Sequence, residues 1–246
     1  MPAKGAPEKR VAIIAAMGKE TRPFLDELEG AEEVSVLGPT YAGPALFRKG
    51  TMQGSSCMLV TSGIGTTNAA IAAAGVLSFF RPDLVVVAGT AGGLGRQAGA
   101  GDVVIADFAL YHEADASAFG YAPGQIPRMP ETYQVDPDLK ERAERALREA
   151  DLTAWVGGVG SSNSFVTADH AEDLRKLFPD LLAVDMETAA IAQACHLFRV
   201  PWVSLRAVSD LCEPDGAGRF RAHAPEAAET SKTAATAFLQ TLTTRH

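Results

Sequence analysis

The chain has 246 residues, 47% hydrophobic and 21% charged, with a formal net charge of −8. This length and balance suit one folded α/β unit with a sizeable core. The acidic charge, with Lys and Arg scattered rather than striped, excludes a nucleic-acid binder that tracks phosphates.

The polar first ten residues lack the apolar core of a signal peptide, and residues 1–9 read as a disordered lead to a single unit over 10–246. No apolar run approaches the roughly 20 residues that span a bilayer, so the expectation is a cytoplasmic protein with no membrane partner. Val11–Ala16 is an apolar run of strand length, and Lys19–Leu28 places Phe24, Leu25 and Leu28 on one helical face. Ala45–Met52 and Cys57–Thr61 read as hairpin strands turning at Gln53-Gly54. An alanine-rich helix over Thr66–Phe80 stops at Arg81-Pro82-Asp83. Leu84–Ala88 is then wholly apolar, as expected of a strand covered on both faces. Another strand runs from Val103 to about Leu110.

Tyr111–Tyr133 is a long loop, rich in aromatics and carrying Pro123, Pro127 and Pro130, which argues for an ordered functional loop. Helices over Pro137–Ala150 and Ala168–Phe178 alternate with strands at Ala154–Ser161 and Leu182–Val184. A helix over Met186–Phe198, a strand over Trp202–Val208 and a closing helix over Ala222–Leu242 complete the pattern. The alternation predicts an α/β fold, a three-layer α/β/α sandwich around a central mixed sheet. Cys57, Cys195 and Cys212 are far apart and lack metal-ligand spacing, so they read as buried free thiols, with no metal expected.

Two glycine-rich stretches, Ser62-Gly63-Ile64-Gly65 and Gly89-Thr90-Ala91-Gly92-Gly93-Leu94-Gly95, read as strand-to-helix turns whose backbone N–H groups can approach a ligand. Neither matches a phosphate-binding loop or a dinucleotide fingerprint, and tight chain reversal alone explains either. Three carboxylates follow apolar strands, where ligands of open α/β sheets bind: Glu20 after the first strand, Glu187 in Val184-Asp185-Met186-Glu187, and Asp210 in Ala207-Val208-Ser209-Asp210. Taken singly, each also fits a helix-cap or turn role.

Together with Ala15-Ala16-Met17-x-x-Glu20, Tyr111-His112-x-Ala114-Asp115-x-x-Ala118-Phe119-Gly120-Tyr121, Ser164-Phe165-Val166 and Arg206-Ala207-Val208-Ser209-Asp210, these stretches give the chain its family likeness. It resembles the nucleoside phosphorylase/hydrolase superfamily, and within it the bacterial 5′-methylthioadenosine/S-adenosylhomocysteine nucleosidases, from about Val11 to the C-terminal helix. The resemblance implies an N-glycosidic hydrolase without a cofactor. Glu20 would activate the attacking water, and Asp210, oriented by Ser209, would protonate N7 of the departing adenine. Glu187, with the Met186 backbone, would hold the ribose hydroxyls. Ala16 belongs to the same stretch as Met17, and Thr90 stands where the family usually has serine. Phe165 would stack on the base and the Val166 backbone would read its edge, although core packing is the ordinary role of a lone Phe. Met17, Ile64 and Phe220 would line the sugar and 5′ pocket. Phe119 and Pro127 would reach the neighbouring subunit's 5′ pocket in a homodimer.

Superfamily phosphorylases carry an arginine on the strand before the glycine turn. Here that strand reads Val85-Val86-Val87-Ala88-Gly89, which favours water as nucleophile, with Arg22 the cation left to consider. Asn163 and Asp185 depart from the family pattern (an aspartate and a glutamate are usual there) and bear on the substrate. Three other readings stand beside the main one: a futalosine-type nucleosidase, a phosphorylase, and a catalytically silent binding protein.

Overall fold

The computed structural model describes residues 9–243, so all of the expected lead except Lys9 lies outside the described residues. Continuous runs of Val, Ile, Leu and Ala become the buried centre of a mixed sheet. Strand β1 (Arg10–Ala15) lies parallel to both β4 (Ser55–Thr61) and β5 (Leu84–Gly93). Strand β2 (Glu29–Glu33) pairs with β3 (Leu46–Met52), and β3 pairs antiparallel with β4 through the Gln53-Gly54 turn, both residues of which have positive φ. On the other side β10 (Trp202–Asp210) runs parallel to β5. The pairing continues from β10 to β6 (Val103–Tyr111), then to β8 (Ala154–Ser161) and β9 (Leu181–Asp185), and β9 returns to β5. Five strands of the sheet therefore close on themselves, and short β7 (Tyr133–Gln134) adds to β6.

Helices cover both sides. Helix α6 (Gly216–Thr243) packs on β5 and β10 together with α1 (Gly18–Leu25) and α3 (Pro137–Glu149). Helix α2 (Thr66–Phe79) packs against α5 (Thr188–Phe198). Helix α3 starts where Asp136 accepts from the Asp138 N–H at 2.9 Å and Pro137 takes the first turn, where its missing N–H is not needed. The main core joins β1, β4, β5, β6 and β10 to the helices, while α4 (Ala168–Leu177) closes a smaller one around Leu94, Leu110, Val166 and Leu181. None of the described helices is long and apolar enough to cross a membrane.

The mixed sheet between helical layers is the architecture expected, with four local corrections. Gly89–Gly93 is not a turn but the second half of β5, because β10 pairs with it from Gly89 to Gly92 and β9 pairs with Gly92 and Gly93. Glu29–Glu33 is an exposed edge strand, held by backbone pairing and marked by no apolar alternation; acidic side chains suit an unpaired edge. Met186 and Glu187 precede α5 instead of opening it, and α6 begins six residues before Ala222, so Phe220 is helical. The long loop holds one 3₁₀ turn, Ser117–Phe119, and is tied down by the Gly124 N–H donating to the Ala114 carbonyl at 2.8 Å.

Gly89 is the glycine this arrangement cannot replace. Its φ is +119°, and a Cβ there would lie 2.8 Å from the Glu20 carboxyl and 3.1 Å from Arg206 Nη1. Its N–H is satisfied by Ser231 Oγ of α6 at 2.8 Å, and the same hydroxyl donates to the Leu205 carbonyl at 2.7 Å. Gly89→Ala should lower the stability by about 1–3 kcal/mol, the usual range for overpacking, read as a lower urea midpoint at unchanged slope. An unshifted midpoint would show that the Glu20 side can yield.

Candidate active site

Strand ends β1, β4, β5, β9 and β10 surround one cavity that opens to solvent at its mouth. The three carboxylates picked out from the sequence meet there: Glu20, Glu187 and Asp210 all line it. Ala16, Met17 and Thr90 join them, with Ser209 beside Asp210. Phe165, Val166 and Met186 line it, and Ile64 and Phe220 complete the set. Phe119 and Pro127 do not reach this cavity; Phe119 is 84% exposed, and Pro127 is exposed on the same loop.

Glu20 is buried and accepts four hydrogen bonds. Its Oε2 takes the N–H groups of Ala16 at 3.1 Å and Met17 at 2.9 Å, which closes the first turn of α1. Its Oε1 takes the N–H and hydroxyl of Thr90 at 2.8 and 2.7 Å. The carboxylate thus bridges the ends of β1 and β5, and the close approach to β5 is what Gly89 permits.

Glu187 is also buried. Its Oε1 accepts from the Gly65 N–H at 2.9 Å, and its Oε2 pairs with Arg206 Nη2 at 3.3 Å. The first glycine turn therefore does approach a carboxylate, but the protein's own, helped by a Gly65 φ of +98°. Arg206 sits in the middle of β10 with 1% of its surface exposed. Its Nε pairs with Asp185 at 3.0 Å, and its Nη1 donates to the Thr90 carbonyl at 3.1 Å. Asp185 also accepts from the hydroxyls of Ser161 and Thr188 and from the N–H groups of Glu187 and Thr188, so it caps α5.

Burial works against the Arg206 charge, but the carboxylates of Asp185, Glu187 and Glu20 more than offset it and hold the guanidinium above its ordinary range. Burial pushes the Glu187 carboxyl up to about 7; Arg206 pulls it down and Asp185 adds to the rise. Asp210 is likewise pushed up by burial, against the Cys212 N–H at 3.2 Å and the Ser209 hydroxyl at 3.1 Å. The Ser209 hydroxyl also lies 3.2 Å from the Ala91 carbonyl. With its one proton on that carbonyl, its oxygen is free to accept from a protonated Asp210.

At the mouth, Phe165 and Phe220 meet edge to face at 6.0 Å, both rings open to the cavity. Asn163 is exposed, does not line the cavity, and instead caps α2 by accepting from the Thr66 N–H at 2.9 Å. Of the two departures from the family pattern, only Asp185 touches the site.

Two expectations about cations need correction. Arg22 is exposed on α1 and does not line the cavity. An arginine does stand beside the glycine stretch, on the neighbouring strand, where Arg206 is in register with Gly89. The signal was present: a lone arginine inside Trp202–Asp210, a strand buried along its whole length, requires acidic partners. Residues whose contribution the sequence did not reveal include Ser161, Thr188 and Ser231, whose hydroxyls are ordinary until their partners are known.

A model of the phosphorylase superfamily matches residues 10–242, so the chain belongs to that superfamily and shares its fold. A 5′-methylthioadenosine/S-adenosylhomocysteine nucleosidase of Staphylococcus aureus is 38% identical over 222 residues, 90% of this chain and 95% of that protein, and the chain belongs to this nucleosidase family. The nucleosidase of Neisseria meningitidis, solved with methylthio-immucillin-A, superposes with a TM-score of 0.90 at 36% identity, covering 95% of this chain and 99% of that one. A futalosine hydrolase of Helicobacter pylori superposes with a TM-score of 0.87 at 25% identity, covering 95% and 98%.

The raised Glu187 carboxyl has a consequence for stability. A carboxyl titrating near 7 in the folded chain, against an ordinary 4.5, binds more protons folded than unfolded between those values. Its contribution is complete below about 4.5 and is lost as pH rises through about 7. Asp210, raised as well, adds a slope of the same sign. Glu187→Gln should flatten the fall of unfolding free energy across this window in urea titrations at fixed ionic strength. An identical slope in the variant would mean that Glu187 does not carry the shift.

Proposed function

We propose that the protein hydrolyses the N-glycosidic bond of 5′-methylthioadenosine and S-adenosylhomocysteine, releasing adenine and the 5′-modified ribose. The observation that carries this reading is the convergence of Glu20, Glu187 and Asp210 on one cavity whose only buried arginine, among the described residues, is paired with Asp185 and Glu187. A phosphate dianion there would meet an excess of carboxylates and, among the described residues, no unpaired buried cation, an unfavourable desolvation. Water carries no such penalty. Support for the substrate comes from the family relatives and from the inhibitor-bound neighbour.

In this mechanism Glu20, an acceptor throughout, takes a proton from water as it attacks the anomeric carbon. Asp210 gives its proton to N7 so that adenine leaves neutral, and burial is what keeps that proton available. Glu187 binds the ribose hydroxyls and, when ionised, favours the positive charge developing on the sugar. Phe165 and the Val166 backbone hold the base, and Met17, Ile64 and Phe220 hold the sugar and its 5′ group. The setting is the cytoplasm and the purpose methionine salvage.

The protein would act as a homodimer whose Phe119 and Pro127 complete the partner's 5′ pocket, a reading supported by an ordered loop that leaves Phe119 84% exposed. Phe119→Glu should shift the protein toward monomer in equilibrium sedimentation and raise KM. An unchanged mass would remove Phe119 from the interface.

Purified protein incubated with methylthioadenosine should release adenine and methylthioribose at one rate with and without phosphate. Phosphate-dependent methylthioribose 1-phosphate would make it a phosphorylase instead. Absence of turnover would turn attention to futalosine, given the Helicobacter neighbour. Asp210→Asn should lower kcat by about 10²–10⁴-fold while largely sparing substrate binding, the usual size of a lost general acid. Near-normal turnover would refute that role.

A further inference from the structure

Near the cavity mouth one exposed cation lies against the lining itself, over an aromatic ring and not beside a carboxylate. Lys19, in the first turn of α1, lies with its ammonium 4.3 Å from the centre of the Phe220 ring. Phe220 is a wall of the cavity, and Lys19 falls between Met17 and Glu20, both of which line it. Among the described residues Lys19 is exposed and its one contact of this kind is with that ring. Arg206 is occupied by Asp185 and Glu187, and Arg219 by Glu213 at 3.5 Å.

An exposed cation over an aromatic face is weakly held, and the four-carbon stem of a lysine swings freely. A carboxylate arriving at the mouth would draw the ammonium from the ring into a charge-assisted hydrogen bond. The need for such a cation follows from the surroundings. Glu20, Asp185 and, when ionised, Glu187 outnumber the one arginine, so an anionic substituent emerging from the cavity is repelled unless a positive charge meets it. A methyl group asks for nothing there.

We infer that Lys19 is a specificity-determining residue, recognising a carboxylate at the far end of the substrate's 5′ substituent as it leaves the cavity past Phe220. This rests on the nucleosidase reading and narrows its substrate class. S-Adenosylhomocysteine carries such a carboxylate on an amino-acid chain and futalosine on an aromatic ring; methylthioadenosine carries none.

The test compares four substrates on the full-length protein: methylthioadenosine, S-adenosylhomocysteine, its analogue with a 3-carboxypropylthio group (carboxylate, no amine) and its analogue with a 3-aminopropylthio group (amine, no carboxylate). Futalosine is run beside them to separate the two carboxylate sources. Lys19→Met keeps the apolar stem and removes the charge, and Lys19→Arg restores it. In Lys19→Met, kcat/KM for the two carboxylate-bearing thioethers should fall about fivefold more than for the other two substrates, through KM rather than kcat, as expected for one exposed charge contact. Lys19→Arg should recover most of the difference, and added salt should shrink it in the wild type. An equal change for all four substrates, or a loss confined to kcat, would overturn the inference. Failure of the wild type to release adenine from methylthioadenosine or S-adenosylhomocysteine would instead overturn the nucleosidase reading, so the two failures are distinguishable.

Discussion

A guanidinium sealed from solvent must be neutralised where it lies, and in this protein that requirement organises the site. Arg206 reaches from the centre of β10 to Asp185 at the end of β9, to Glu187 just before α5, and to the Thr90 carbonyl on β5. One side chain thereby fixes three strand ends relative to one another. Removing one partner of such a buried pair typically costs about 3–5 kcal/mol, because the remaining charge is stranded. Asp185 spreads the load further, since its other partners tie down β8 through Ser161 and the first turn of α5 through Thr188.

Within that frame the carboxyl groups are placed in different surroundings, which lets one residue type perform opposite tasks. Glu20 faces four donors from the ends of two strands and offers only lone pairs. Asp210 has one N–H donor, from Cys212, a serine hydroxyl able to accept its proton, and a buried setting that favours its protonated form. Glu187 lies between, raised by burial yet anchored by a cation. An acceptor and a proton-bearing carboxyl in one cavity are what the proposed reaction asks for, since it adds water at one place and releases a base at another.

Much of this was legible before any coordinates. The unbroken apolar runs at Val11–Ala16 and Leu84–Ala88 are of strand length, and the second reads as a strand covered on both faces, because its β-branched residues leave no polar face. Acids directly after such runs, ordered among the family motifs, pointed to the strand ends where the cavity lies. What escaped notice is equally physical. Gly89–Gly93 looks like a turn because glycine signals local freedom, whereas here it marks where Glu20 and Arg206 press against a strand. Glu29–Glu33 is a strand by virtue of its neighbour alone. Asn163 stood in a stretch matched to the base site, but its amide turned to the end of α2.

Helix α6 joins two of these features along one rod. Ser231 fastens its middle to the Gly89 N–H and the Leu205 carbonyl, while Phe220, eleven positions earlier, closes the mouth. At 1.5 Å per residue the ring stands about 16 Å from that fastening, so a tilt of about 5° there would carry it by about 1.4 Å. Pro225 falls within this arm, where the missing N–H removes one rung of the helix ladder. The mouth is thus mounted on an arm fastened to the strands that line the cavity, so the position of its wall is set where the helix meets the sheet and not at the rim.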